Sequence, residues 1–314
     1  MDINMKKEKK NKNLDRVLSQ LEKNYAVQKG SDIIIEPKIR TGIYPLDYVF
    51  DGGISQIVGG HIIEFFGGES SGKTTFAKLV IKKYQELGKV CAFINAENSY
   101  DPNWASVLGV DNEKIIIVKP TNLTLEQTGD LIIDLIGKVD LIVVDSISAI
   151  VAEEELGTSL SDKAYAPQAK VNSPMCRKIN ERRSRSNTTI IFINQLREKV
   201  GQRYGNPETT SGGRALKHLY DTRIRFRPGK PITHGSGEKL ETIGFIIQLW
   251  AKKNKKGKPL RKAEINFYLD GTLENQICLF FSAIKYGVIQ LSGKTYTYKD
   301  KKVVGKDNLL NVLI

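Results

Sequence analysis

Histidine and cysteine are scarce, with three of each in 314 residues. Cys91, Cys176 and Cys278 stand far apart with no CxxC pair, and His218 and His234 are isolated. Neither a metal cluster nor a disulfide framework can be argued from that material, and the thiols read as reduced and buried in a cytoplasmic protein. A long apolar run is also missing: nothing approaches the ~20 residues of a membrane helix. The lysine-rich start, MDINMKKEKKNKN, has no apolar segment behind it and does not read as a secretory signal. Acid is the third deficit. Thirty-five Asp and Glu against 48 Lys and Arg leave a net charge of +13. Such an excess suits a polyanionic partner, a nucleic acid or an acidic membrane surface; lysine-rich codon usage is the bland alternative. What is present, 40% hydrophobic residues, is enough for one large core with small appendages.

The pattern along the chain is strand, loop, helix, repeated. Leu14, Val17, Leu21 and Tyr25 recur at helical spacing ahead of any core element, and Gly30-Ser31 closes that segment. HIIEFF precedes a Gly-rich loop and the helix FAKLVIKKYQELG, which ends at Gly88. VCAFIN, KIIIV, DLIVVDS and TTIIFINQ are short apolar strands. Continuous apolar runs of this kind belong to strands buried on both faces, hence to a mostly parallel sheet flanked by helices. TRIRFRP, FIIQLWAKK and KAEINFYL follow without intervening helices, as an antiparallel extension. The expected organisation is a helix and linker over 1–35, an α/β core over 36–273 and a small α/β module over 274–314.

Gly67-Gly68-Glu69-Ser70-Ser71-Gly72-Lys73-Thr74 fits G-x-x-x-x-G-K-[ST], between a predicted strand and a predicted helix. Glycines there let backbone N–H groups curl around a β-phosphate at a helix N-terminus, and Thr75 continues that first turn. Lys73 would neutralise the β- and γ-phosphates, and Thr74 would hold Mg²⁺. The nucleotide is expected to be ATP. Asp145 ends an apolar strand, the place for a carboxylate beside the Mg²⁺ shell. Glu97 lies just past VCAFIN, where it could orient an attacking water or simply be a solvated loop residue. Gln195 ends IIFINQ, where an amide could sense the γ-phosphate or merely finish a strand. LREKVGQRYGNPETTSGGR and the polar segment from Glu153 to Gln168 have little to bury; their basic groups suit a phosphodiester chain. WAKKNKKGKPLRK carries seven basic residues between Lys252 and Lys262.

Taken together, GGESSGKTT, AENSYDPNWA, LIVVDS, IIFINQLREKVG, GNPETTSGGRALK and GKTYTYKDKKVVGK resemble the bacterial RecA recombinase family in order and spacing, from about Leu14 nearly to the last residue. The resemblance implies a RecA-like P-loop ATPase core with an N-terminal oligomerisation helix and a small C-terminal α/β module. It implies a helical homo-oligomeric filament on single-stranded DNA, pairing with double-stranded DNA, and DNA-stimulated ATP hydrolysis. Lys73 and Thr74 match the family's phosphate and Mg²⁺ ligands, Glu97 its catalytic glutamate, and Gln195 its γ-phosphate sensor. Asp101 and Trp104 match residues at the adenine. Lys253 and Lys255 match lysines that reach a neighbouring subunit's ATP. The implied DNA loops fall near Gly157 to Tyr165 and Arg197 to Arg214. Candidate contacts there and beside them are Tyr165, Lys170, Arg177, Arg197, Lys199, Val200, Gly212, Gly213 and Arg214, with Tyr165 and Val200 as wedges between base triplets.

Three departures stand out. Asn95 occupies a position that is usually Asp, His218-Leu219-Tyr220 interrupts a segment at the subunit interface, and the end VVGKDNLLNVLI is not acidic. Without an acidic tail to compete for basic surface, freer binding of duplex DNA is expected. A ring-forming ATPase or helicase, and a non-catalytic DNA-binding regulator, are the alternatives; the degraded segment after Lys217 motivates the second. Neither a repressor nor a loading partner can be named from sequence.

Overall fold

The computed structural model describes residues 13–33, 37–119, 123–156, 167–198, 208–305 and 308–309. They form two compact units divided between residues 36 and 37. In the first, residues 13–21 form helix α1. Its apolar stripe is exposed at Leu14, Val17 and Leu21.

The second unit holds strands β1 (His61–Gly67), β2 (Cys91–Asn95), β3 (Ile115–Val118), β4 (Leu141–Asp145), β5 (Thr189–Glu198), β6 (Glu208–Thr210), β7 (Thr222–His234), β8 (Glu241–Asn254) and β9 (Lys262–Tyr268). Among the described residues they make one nine-stranded sheet, ordered β3-β2-β4-β5-β1-β7-β8-β9, with β6 paired to β5. Pairing is parallel from β3 to β7 and antiparallel from β7 to β9. Every residue of β1, β2 and β4 is buried. Adjacent strand residues point to opposite faces, so these runs must feed two cores. On one face Phe65, Phe93 and Val143 meet Phe76 and Ile81; on the other Ile62, Ala92 and Ile142 meet Ile132, Ile179 and Leu216. The covering helices are α2 (Tyr44–Val49), α3 (Lys73–Glu86), α4 (Pro102–Val107), α5 (Leu125–Leu135), α6 (Glu153–Leu156), α7 (Pro167–Arg183) and α8 (Gly213–Leu219).

Two features differ from the sequence reading. The polar stretch after Gln195 does not begin as a loop: β5 runs on to Glu198 and pairs antiparallel with β6 through Leu196–Thr210, Arg197–Thr209 and Glu198–Glu208. Backbone pairing holds these residues as a ribbon although their side chains offer little to bury. Lys170 and Arg177 stand on the 17-residue helix α7, which the polar composition concealed. Beyond β9, α9 (Asn275–Lys285) and the antiparallel strands β10 (Gln290–Ser292), β11 (Thr295–Tyr298) and β12 (Lys301–Val304) share a small core of Phe280, Ile289 and Leu309. Among the described residues, no helix is long and apolar enough to cross a membrane.

Candidate nucleotide site

The loop from Gly67 to Thr74 leaves the carboxyl end of β1 and opens α3. Gly67 is required by its neighbour strand, since a Cβ there would lie 2.3 Å from the Phe226 carbonyl oxygen. Gly72 caps α3 with φ +89°, a left-handed conformation that disfavours any side chain. Lys73 is buried, and its Nζ donates to the Gly68 carbonyl at 2.6 Å and approaches Ser71 Oγ at 3.4 Å. Burial pulls the Lys73 ammonium below the ordinary lysine range, opposed by the carboxylates of Asp145, Glu97 and Glu69. A desolvated cation at the N-terminus of a 14-residue helix, folded back on its own loop, favours an anion that would replace those contacts.

Parallel register brings three further strands to the loop, two of them at their ends: Gly67 lies opposite Gln195 within β5, and Asn95, ending β2, opposite Asp145, ending β4. Asp145 is buried, and its Oδ2 accepts from Thr74 Oγ1 at 2.8 Å and from Ser99 Oγ at 2.6 Å. A hydroxyl and a carboxylate oxygen at the mouth of a phosphate loop are the hard donors that Mg²⁺ takes, alongside phosphate and water; the residues fit that ion. The backbone N–H groups of Ala96 and Glu97 donate to the Asp145 carbonyl at 2.8 and 3.0 Å. Glu97 Oε1 accepts a short hydrogen bond from Ser146 Oγ and a 3.5 Å contact from Gln195 Nε2. Glu97, Gln195 and Asp145, read separately from sequence, thus form one cluster. Ser99 and Ser146 were missed because each meets its partner across 46 and 49 residues.

The flanking candidates are placed as follows. Asp101 caps α4, accepting from the N–H groups of Asn103 and Trp104 at 2.8 and 3.3 Å. The Trp104 ring packs edge-on against Phe267, with centroids 6.4 Å apart. Asn95 uses its oxygen, accepting from the Tyr100 N–H at 3.2 Å, a contact that an aspartate would also make. Beneath that turn Lys78, 1% exposed, sets its ammonium 5.0 Å from the Tyr100 ring centroid. Burial lowers its pKa, countered by Asp101 and Asp145. Nothing in a helical lysine announced this position.

Lys253 Nζ donates to the carbonyls of Lys217 and His218 at 2.7 and 3.3 Å, and Lys255 Nζ to that of His218 at 3.3 Å. Within one chain, therefore, both ammonium groups rest on the C-terminal turn of α8, where the helix dipole favours cations. Burial, then Lys255 and Arg223, push the Lys253 pKa down to about 8. Lys170 pairs with Glu154 at 3.0 Å, while Arg177, Arg197 and Arg214 are exposed. Gly212 is the left-handed N-cap of α8, where a Cβ would lie 2.2 Å from Leu216 Cδ1, and Gly213 has φ +77°. These two glycines start a helix. Tyr165, Lys199 and Val200 lie outside the described residues.

A phosphate loop at the carboxyl end of a parallel strand, with a carboxylate, a glutamate and an amide brought to it by the adjacent strands, defines a P-loop nucleoside triphosphatase. The family model for the RecA N-terminal domain matches residues 12–273. The Protein RecA of Thermus aquaticus is 36% identical over 308 residues, covering 94% of this chain and 87% of that protein. The Protein RecA of Mycoplasma mycoides subsp. mycoides is 39% identical over 264 residues, covering 83% and 75%. Among solved structures, the crystal structure of the RadB recombinase is similar with a TM-score of 0.54 at 17% identity, covering 75% of this chain and 98% of that one, a likeness of fold. The chain belongs to the RecA family of ATP-dependent recombination proteins.

Proposed function

We propose that the protein assembles on single-stranded DNA as a helical filament, clamps ATP between subunits and promotes homologous pairing with duplex DNA. The observation that carries this reading is the meeting of Thr74, Asp145, Glu97 and Gln195 over one phosphate loop. In this reading Gly67, Gly68, Glu69, Ser70, Ser71, Gly72 and Thr75 shape the cradle, and Lys73 neutralises the β- and γ-phosphates. Thr74 and Asp145 would hold Mg²⁺, which supplies charge neutralisation on the phosphates. Asp101 and Trp104 border the base. Glu97, held in place through Ser146, orients the attacking water and takes its proton. Gln195 touches Glu97 from within β5 and belongs to the same strand as Arg197, so a change at the γ-phosphate reaches the second DNA segment along one strand.

Lys253 and Lys255 leave the α8 carbonyls and reach the ATP of an adjoining subunit, which makes nucleotide binding and assembly one event. Arg177, Arg197 and Arg214, with Lys170 once freed from Glu154, supply phosphate contacts; bases stay free to test a duplex. The test measures ATP turnover with and without single-stranded DNA, with electron micrographs of the same samples. Stimulated turnover and helical filaments are expected. Protein that stays monomeric with nucleotide, magnesium and oligonucleotide together overturns the reading. Glu97→Ala should keep ATP binding and filaments while turnover falls by about 10²–10⁴-fold; normal turnover in that variant removes Glu97 from the mechanism.

A further inference from the structure

We infer that Arg223 is a positioning residue: with Glu64 and Asn194 it forms a buried polar relay that ties the strand feeding the phosphate loop to the base of the second DNA segment. The inference rests on the function proposed above and adds a connection to the one that runs through Gln195. Glu64 lies three residues before Gly67 on β1, with its side chain wholly buried. Its two oxygens are divided between two strands. Oε2 accepts from Arg223 Nε at 2.5 Å, and Oε1 accepts from Asn194 Nδ2 at 3.1 Å.

Each partner then reaches the same short segment. Arg223 Nη2 donates to Thr210 Oγ1 at 3.2 Å, and Asn194 Nδ2 also donates to the Ser211 carbonyl at 3.1 Å. Thr210 ends β6, the returning arm of the ribbon that follows Gln195. The adjacent Thr209 Oγ1 accepts from Lys217 Nζ at 2.6 Å, and the Lys217 carbonyl accepts from Lys253. One continuous set of contacts therefore links β1, the ribbon, α8 and the lysine assigned to the next subunit.

Buried carboxylates and guanidinium groups tolerate few arrangements, because each ion must keep its partners to offset its lost hydration. The guanidinium also lies over the Phe66 ring, with its carbon 4.7 Å from the centroid, one residue before the phosphate loop. A fork with fixed N–H directions transmits position in a way that a single ammonium does not. This explains an otherwise costly choice: an ion pair between two interior strands where apolar residues of similar size would pack without a desolvation cost.

Two variants separate positioning from folding. Thr210→Val removes the outer acceptor while leaving the ion pair and the shape of the side chain. Arg223→Lys keeps the charge opposite Glu64 and loses the fork. For both we expect DNA-free ATP turnover and its KM close to those of the parent; the melting temperature should stay close in Thr210→Val and fall in Arg223→Lys, which loses the Nε hydrogen bond to buried Glu64. The concentration of single-stranded DNA giving half-maximal stimulation should rise about tenfold, the size of one charged hydrogen bond. The double variant should be no worse than Arg223→Lys alone, since both changes cut the same link. An unchanged DNA requirement in Thr210→Val and Arg223→Lys overturns the relay while leaving the proposed function standing. So does a double variant whose defect equals the product of the two. A parent protein that DNA does not stimulate at all removes the functional reading and the relay with it.

Discussion

The two halves of the central sheet are built by different rules. In the parallel half, β1, β2 and β4 are buried at every position. In the antiparallel half, β7, β8 and β9 alternate: Ile224, Phe226, Ile247, Leu249 and Ile265 face the core, while Arg227, Gln248, Lys262 and Glu264 face outward. Strands covered on both faces leave their ends most open to polar chemistry, and Gly67, Asn95, Glu97 and Asp145 of the nucleotide site sit at or just beyond the ends of β1, β2 and β4. Strands covered on one face can spend the other on polar and charged groups, as Arg227, Lys230, Lys262 and Glu264 do. The same sheet thus offers strand ends beside the phosphate loop in its parallel half and a partly exposed face in its antiparallel half.

The largest expected effect tests the chemical half. Lys73→Ala should reduce ATP turnover by about 10³-fold, measured at saturating nucleotide, by removing a charge aimed at the transferring phosphate. Thermal stability should not fall with it. The Lys73 ammonium is held below its ordinary pKa by burial, so the folded protein bears a cost that the alanine removes. A variant that loses activity and stability together would show that Lys73 is structural.

Next comes the seam between the halves. Phe226 on β7 packs against Phe65 of β1 and Phe76 of α3, with ring centroids 4.9 and 5.3 Å away. Phe226→Ala should cost about 3–5 kcal/mol in denaturant unfolding, whereas Arg227→Ala on the exposed face should stay within about 0.5 kcal/mol. Equal losses at the two positions would contradict the division into an inward and an outward face.

Much of this was legible in the sequence, for a reason that these residues make plain. The phosphate loop is chemically contiguous, so eight neighbouring letters carry it. The strands carry continuous or alternating apolar patterns that mirror how many faces are covered. What stayed hidden is held by distant pairs. Ser99, Ser146 and Glu64 act through partners 46 to 159 residues away. Lys78 lies on the buried side of α3 because Tyr100 folds over it, and no periodicity reveals a lid. The ribbon after Gln195 depends on backbone pairing, to which side-chain composition is nearly blind. Gly212 and Gly213 were assigned to DNA contact, and their structural duty, starting α8, needed the left-handed φ to be seen.

A smaller effect comes from the sheet end opposite the nucleotide loop. His61 is wholly buried: its Nδ1 accepts from the Ser55 N–H at 3.2 Å and its Nε2 lies 2.7 Å from Thr222 Oγ1. Burial holds its pKa down to about 3. The unfolded chain takes up this proton below about pH 6.5 and the native chain only near 3. Stability from this group is therefore full above 6.5 and is lost as pH falls toward 3, by at most about 1.4 kcal/mol per pH unit. Urea unfolding at pH 7.5 and 5.0 measures it. His61→Asn should lower stability at both values yet shrink the difference between them; a parent protein equally stable at the two would reject the assignment.

The smallest effect tests whether exposed basic residues act singly. Arg197 stands on the ribbon, exposed and directly opposite Thr209, so losing its side chain should leave the fold and DNA-free turnover alone. If it contacts one phosphate of single-stranded DNA, Arg197→Ala reduces the slope of log affinity against log salt by about 0.7 and weakens binding alike for every oligonucleotide sequence. Fluorescence anisotropy across a salt series, with a homopolymer and a mixed sequence in parallel, reads both quantities. A slope that does not move places Arg197 away from the backbone. A loss confined to one sequence would instead make it a reader of bases, contrary to a protein that leaves sequence to pairing.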